Sequence, residues 1–166
     1  MRRKALKGGK AILAAMNDDE HCGEGPEYQR GYDFEKFVKG MFDSPDFKVL
    51  FWSEGKRTKV PDFYVQYGEK EYKFWVEARF RQEPFDKKVK IFGDRPDRLN
   101  LLTTFQGLVL PERVFIVLGL GGESKSPEKI FRIPILEVPY ADLFTDRLEK
   151  HECGRSFTKY EKFILI

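Results

Sequence analysis

Two short segments with strict apolar alternation constrain this chain more than any other feature. From Pro61 to Tyr67, the residues Phe63, Val65 and Tyr67 fall on one side of an extended chain, and Asp62, Tyr64 and Gln66 fall on the other. From Tyr72 to Phe80, the residues Tyr72, Phe74, Val76, Ala78 and Phe80 oppose Lys73, Trp75, Glu77, Arg79 and Arg81. Gly68–Glu71 lies between them as a turn. Pairing Tyr67 with Tyr72 sets Val65 opposite Phe74 and Phe63 opposite Val76, so that these apolar side chains share one face. A slip of one residue would mix the faces, so the pattern selects its own register. That register makes Asp62 and Glu77 direct cross-strand neighbours, with Cβ atoms roughly 5 Å apart. Like charges in that position destabilise a sheet and call for compensation. A hard divalent cation held by oxygen ligands would supply it. So would Arg79, which lies two residues beyond Glu77 on the same face. The pattern alone leaves both answers open.

The elements around the hairpin follow from periodicity. Phe34, Phe37, Val38, Met41 and Phe42 recur at helical spacing, with Asp33 as the expected N-cap and Ser44-Pro45 as the stop. Phe47 to Trp52 reads as a strand, and Gly55 to Lys59 as a basic loop. Arg81 to Asp97 is polar and reads as a long loop. Pro96 opens a second helix carrying Leu99, Leu102 and Phe105. Arg113 to Gly119 is expected as a buried strand, Gly119 to Gly122 as a turn, and Ile130 to Leu136 as a strand whose Pro134 marks an edge or bulge. A third helix is expected over Tyr140 to Lys150, and Phe163 to Ile166 as an added strand. Residues 1–27, basic and then acidic, read as a flexible N-terminal tail, which leaves 28–166 as one domain.

Composition excludes more than it selects. The chain has 166 residues, enough for one domain, with 41% hydrophobic and 34% charged residues and 16 Phe, so its core is expected to be built on rings. A net charge of +3 and a pI near 8.7 permit nucleic-acid binding without marking it. Cys22 and Cys153 lack metal-ligand spacing and read as reduced thiols. No apolar run approaches the ~20 residues of a membrane span. Ala11 to Met16 is also short for a secretory leader, so a cytoplasmic location is expected.

The run VPDFYV followed by FWVEARFR resembles the signature of the restriction-endonuclease-like PD-(D/E)XK nuclease superfamily. The stretches RVFIVLGLGG and IFRIPILEVPY resemble a bacterial branch of it, and the likeness spans residues 31 to about 150. The resemblance implies an α/β fold with a mixed central sheet of about four to five strands flanked by helices. It implies a metal-dependent phosphodiesterase acting on DNA, with RNA left open, and it allows a homodimer. Asp62 and Glu77 would then bind Mg²⁺ or Mn²⁺, with the Ala78 carbonyl as a third ligand. Glu35, supplied by the helix GYDFEKFVKGMF, would orient water or bind a second ion. The signature's Lys is replaced here by Arg79, whose guanidinium stays charged and cannot act as a base. Arg79 can stabilise developing phosphoryl charge; a proton shuttle would need another group, such as Lys88. Lys56, Arg57, Lys59 and Lys88 are the expected nucleic-acid contacts, with Lys90, Arg95 and Arg98 as further phosphate-binding candidates. The alternative is an inactive nuclease-fold module that binds nucleic acid or protein, with Arg79 bridging Asp62 and Glu77 permanently.

Overall fold

The computed structural model describes residues 23–68, 72–84, 86–93 and 95–157. The expected tail through residue 22, with Cys22, and the expected strand Phe163–Ile166 lie outside the described residues.

Helix α1 spans Pro26–Met41, and strands β1, Phe47–Trp52, β2, Phe63–Tyr67, and β3, Tyr72–Arg81, follow it. A short strand β4, Lys88–Lys90, precedes helix α2, Asp97–Val109. Two long strands come next, β5, Arg113–Glu123, and β6, Ser126–Pro134. A 3-10 turn at Ile135–Glu137, strand β7, Asp142–Phe144, a four-residue helix α3, Thr145–Leu148, and a second 3-10 turn, Glu149–His151, follow. The central sheet has five strands in the order β1-β2-β3-β5-β6, and β4 and β7 form a separate ribbon. The sheet is mixed, because β3 and β5 run parallel and the other pairs antiparallel. Helix α2 lies in the crossover that the parallel pair requires.

The hairpin register is the one that the alternation selects. Phe63 pairs with Val76, Val65 with Phe74 and Tyr67 with Tyr72. Phe63, Val65, Phe74 and Val76 pack beneath α1 with Phe34, Val38, Met41 and Phe42. The opposite face is a second core, where Tyr64 and Trp75 pack with Leu102, Phe105, Ile116 and Leu118 under α2. Tyr64 and Trp75 stack with ring centroids 4.2 Å apart, and Glu112 accepts from the Tyr64 hydroxyl at 2.8 Å and from Trp75 Nε1 at 2.9 Å. Both rings are therefore core residues.

Several expected boundaries are corrected. Helix α1 starts at Pro26, seven residues before the expected cap, because Pro26 is favoured in a first turn. Asp33 consequently lies inside the helix, where it takes a 3.0 Å bond from Gln29 and a 2.9 Å ion pair from Lys36. The Lys36 hydrogen bond holds its carboxyl below the usual range, over an opposing effect of burial. Gly119–Gly122 is not a turn but the continuation of β5. Gly119 is required there by contact: a Cβ would stand 2.5 Å from the Phe34 ring, where α1 crosses the sheet. Tyr140–Lys150 is not a single helix. Leu143 is buried and its neighbour Phe144 exposed, which is strand alternation, and the helix starts only at Thr145. The strand expected at Ile130–Leu136 begins earlier, at Ser126, and ends at Pro134. The polar segment 81–97 contains β4 and so is not wholly loop.

Candidate active site

Three carboxylates from three elements meet at one end of the β1–β2–β3 edge. The hairpin register sets Asp62, just before β2, against Glu77. Glu35 reaches them from α1. A register shift between Val49 and Phe51 in β1 makes this possible. The irregularity moves Trp52 onto the face that Phe47 and Val49 share, so that its indole lies beside Glu35.

Glu35 is fixed through one oxygen. Its Oε2 accepts from Trp52 Nε1 at 3.2 Å, from the Ser53 hydroxyl at 3.3 Å and from the Gly55 amide at 2.9 Å. Gly55 is needed on two counts. Its φ is +76°, and a Cβ would meet the Tyr32 ring at 2.7 Å and the Tyr28 hydroxyl at 2.8 Å. Asp62 accepts from the Ala78 amide at 2.8 Å and lies 3.3 Å from the Ser53 hydroxyl. Ser53 therefore touches both acids with a single proton to give.

Glu77 is wholly buried and doubly paired. Arg98 Nε donates to its Oε1 and Arg98 NH2 to its Oε2, both at 2.8 Å, in the bidentate fork that suits guanidinium to carboxylate. Arg98 also donates to the Thr58 carbonyl at 2.7 Å and the Val60 carbonyl at 2.9 Å, tying down the segment that leads into Asp62. Arg79 donates to Glu77 Oε1 from its own strand, and its NH1 donates to the Ala78 carbonyl at 3.2 Å.

The electrostatics divide the acids. Burial raises the Glu35 carboxyl above its ordinary value. Burial, with Glu77 and Glu35 nearby, pushes Asp62 well above its own. Glu77 goes the other way. Its burial opposes ionisation, but Arg79 and Arg98 outweigh burial and hold it below the ordinary range. Burial thus favours the neutral form of Glu35 and Asp62, whereas the two guanidiniums favour the ionised form of Glu77.

These groups fit a divalent cation in part. Asp62 and Glu35 offer hard oxygen, and every donor to Glu35 among the described residues falls on Oε2. The Glu77 carboxylate and the Ala78 carbonyl, the ligand atoms that the resemblance assigns to this strand, are both held by the Arg79 guanidinium. Among the described residues no group of three or more His, Cys, Asp or Glu side chains is arranged to hold a metal ion. The Arg79 side chain is 27% exposed, whereas that of Arg98 is 7% exposed.

Arg98 was expected to contact phosphate and does not; it is buried and structural. Its position carried the signal, since Arg98, Leu102, Phe105 and Val109 form one buried stripe of α2. Trp52 and Ser53 were also missed, because neither belongs to the acidic signature. Lys56, Arg57 and Lys59 are exposed on the segment between β1 and Asp62. Lys88 sits on the β4–β7 ribbon with its ammonium 4.8 Å from the centre of the Phe144 ring, and so does not replace the missing lysine among the acids.

No protein-family model matches the chain, and no curated protein matches it. Among solved structures, Hjc from Archaeoglobus fulgidus, a Holliday junction resolvase, matches with a TM-score of 0.52 and 14% identity over 78% of this chain and 99% of that one. Among the described residues no helix is long and apolar enough to cross a membrane. The fold that the PD…EAR signature implies is thus the fold of this chain, a restriction-endonuclease-like α/β fold with a five-stranded mixed sheet.

Proposed function

We propose that this protein is a metal-dependent phosphodiesterase acting on DNA, with Mg²⁺ or Mn²⁺ taken up at Glu35 and Asp62 and completed by Glu77 and the Ala78 carbonyl when Arg79 withdraws. One observation carries the reading: three carboxylates converge, and a partly exposed guanidinium holds both ligand atoms of β3. A bound cation would supply phosphate polarisation and a more acidic water. Glu35, fixed through Oε2, would use its other oxygen to orient the attacking water and take its proton. Arg79, once off Glu77, would move to the phosphate and neutralise its developing charge, which needs a fixed cation and no proton transfer. Arg98 would stay on Glu77 throughout.

The saturated Glu77 favours a second reading: a nuclease-fold module that binds DNA with its acids permanently neutralised by Arg79 and Arg98. Thermal melting with and without millimolar Mn²⁺, beside cleavage assays on linear and four-way-junction DNA, separates the two. The junction is included because a structural neighbour is a Holliday junction resolvase. The first reading expects a rise in melting temperature on adding metal and cleavage of at least one DNA, with Arg79→Lys retaining or raising the rate. Neither a shift nor cleavage, in wild type and Arg79→Lys alike, would leave the binding module standing.

A further inference from the structure

The geometry points to a binding strip for unpaired nucleotides that leads into the acid cluster along helix α1. Tyr28, Tyr32, Lys36 and Lys39 recur at intervals of four, four and three residues and so form one stripe of α1. The Tyr28 and Tyr32 rings lie 6.4 Å apart at 12°, and Tyr32 and Trp52 lie 6.1 Å apart at 14°. Three half-buried rings therefore stand in a near-parallel row. The last half-buried ring of the row is the Trp52 indole, which also stacks on buried Phe63 and whose Nε1 donates to Glu35, so the row adjoins the acids themselves.

The cations are placed to serve the same ligand. Lys36, which also pairs with Asp33 at 2.9 Å, holds its ammonium 4.5 Å from the centre of the Tyr32 ring, and Lys39 is at the same distance from that of Trp52. Exposed Lys56, Arg57 and Lys59 follow Gly55, the residue wedged against Tyr28 and Tyr32. Rings in a row with interleaved cations match a strand whose bases stack on aromatic faces while its phosphates meet lysines. A lysine that leaves its ring for a phosphate uncovers that ring for a base, so each lysine covers the face in the free chain and contacts the backbone in the complex. A duplex offers its phosphates but keeps its base faces stacked inside, which makes single-stranded DNA the partner that uses the whole strip. As a substrate claim this rests on the proposed function and refines it: the DNA would carry an unpaired segment beside the bond cleaved.

The test uses the full chain in EDTA with fluorescein-labelled oligothymidylate of about fifteen nucleotides and a blunt duplex of the same length. Intrinsic fluorescence is diagnostic because the chain has two tryptophans and Trp75 is wholly buried, so a surface ligand is read through Trp52. Oligothymidylate should quench that emission. Tyr32→Leu should weaken single-strand binding about tenfold, the loss expected when one stacking ring is removed, and should leave duplex binding nearly unchanged. The double variant Lys36→Ala, Lys39→Ala should lower the slope of log Kd against log salt by about 1.4 on the single strand. Should Tyr32→Leu lose its cooperative melt, Lys39→Ala alone decides, with a drop of about 0.7 in that slope, because Lys36 also pairs with Asp33. Unchanged tryptophan emission, or wild-type affinity in the variants that fold, overturns the strip. The two proposals fail separately: stacking without cleavage in any metal removes the nuclease reading, and cleavage indifferent to Tyr32 and the lysines removes the strip.

Discussion

The acid cluster has a closed end and an open one. At the closed end, Arg98 reaches Glu77 from α2, makes a bidentate pair and spends its remaining donors on the Thr58 and Val60 carbonyls. At the open end, Arg79 holds the same carboxylate from a partly exposed position, and Glu35 and Asp62 share one serine proton. Both arginines neutralise one acid, but only one of them is built to stay. A charge pair sealed from water is scaffold, because breaking it strands an ion. A pair at the rim is exchangeable, because water or a phosphate can replace either partner. The same carboxylate is therefore anchored on one side and addressable on the other.

The largest effect should come from breaking the closed end. Arg98→Met leaves Glu77 buried with only Arg79 for company and should cost about 3–5 kcal/mol in denaturant unfolding. Arg79→Ala, at the rim, should cost no more than about 1 kcal/mol. Equal losses from the two would erase the distinction. Asp62→Asn sharpens it from the other direction. Its amide resembles the neutral carboxylic acid that burial favours, so stability should stay within about 1 kcal/mol of wild type, while any metal-induced rise in melting temperature disappears. A collapse of the fold in Asp62→Asn would mean instead that the ionised carboxylate is structural.

The smallest effect is on pH dependence, and its two limbs have opposite signs. Glu35 and Asp62 have raised folded values, so across the window above the ordinary carboxylate value the folded chain holds more protons than the unfolded one. Stability should fall as pH rises through that window. Glu77 has a lowered folded value, so its contribution is present above the ordinary value and is lost as pH falls below it. Melting temperature should therefore pass through a maximum in mild acid. Asp62→Asn should flatten the upper limb and leave the lower one, and a lower limb that vanished in that variant would reassign the titration.

How much of this could be read in the residues follows the same division. The hairpin register was legible because alternation with one buried face admits a single answer, and it brought Asp62 and Glu77 together without reference to any relative. Glu35 came only with the resemblance, as the acid expected on the helix that precedes the hairpin. Arg98 was not, because its charge suggested solvent, although its spacing with Leu102, Phe105 and Val109 had placed it in the core stripe. Trp52 owes its position to an irregularity in β1 that no pattern of residue types announces. Leu143 and Phe144 read as helix because two adjacent apolar residues suit either period, and only burial separates them. The strip on α1 was missed because its tyrosines and lysines fall outside the apolar period that marked the rest of the helix.

The parallel pairing of β3 with β5 bears on the order in which the cluster assembles. Asp62 and Glu77 are joined by one tight hairpin, a closure that needs little chain and little time. Arg98 arrives only with α2, whose seat depends on the crossover to β5, a contact between distant parts of the chain. The repulsion is thus local in sequence, and only half of its remedy is: Arg79 comes with the hairpin and Arg98 does not. A chain that closes short loops first brings the two acids face to face with only the rim guanidinium at hand, and the fork that joins Glu77 to the Thr58 and Val60 carbonyls is added when the crossover closes.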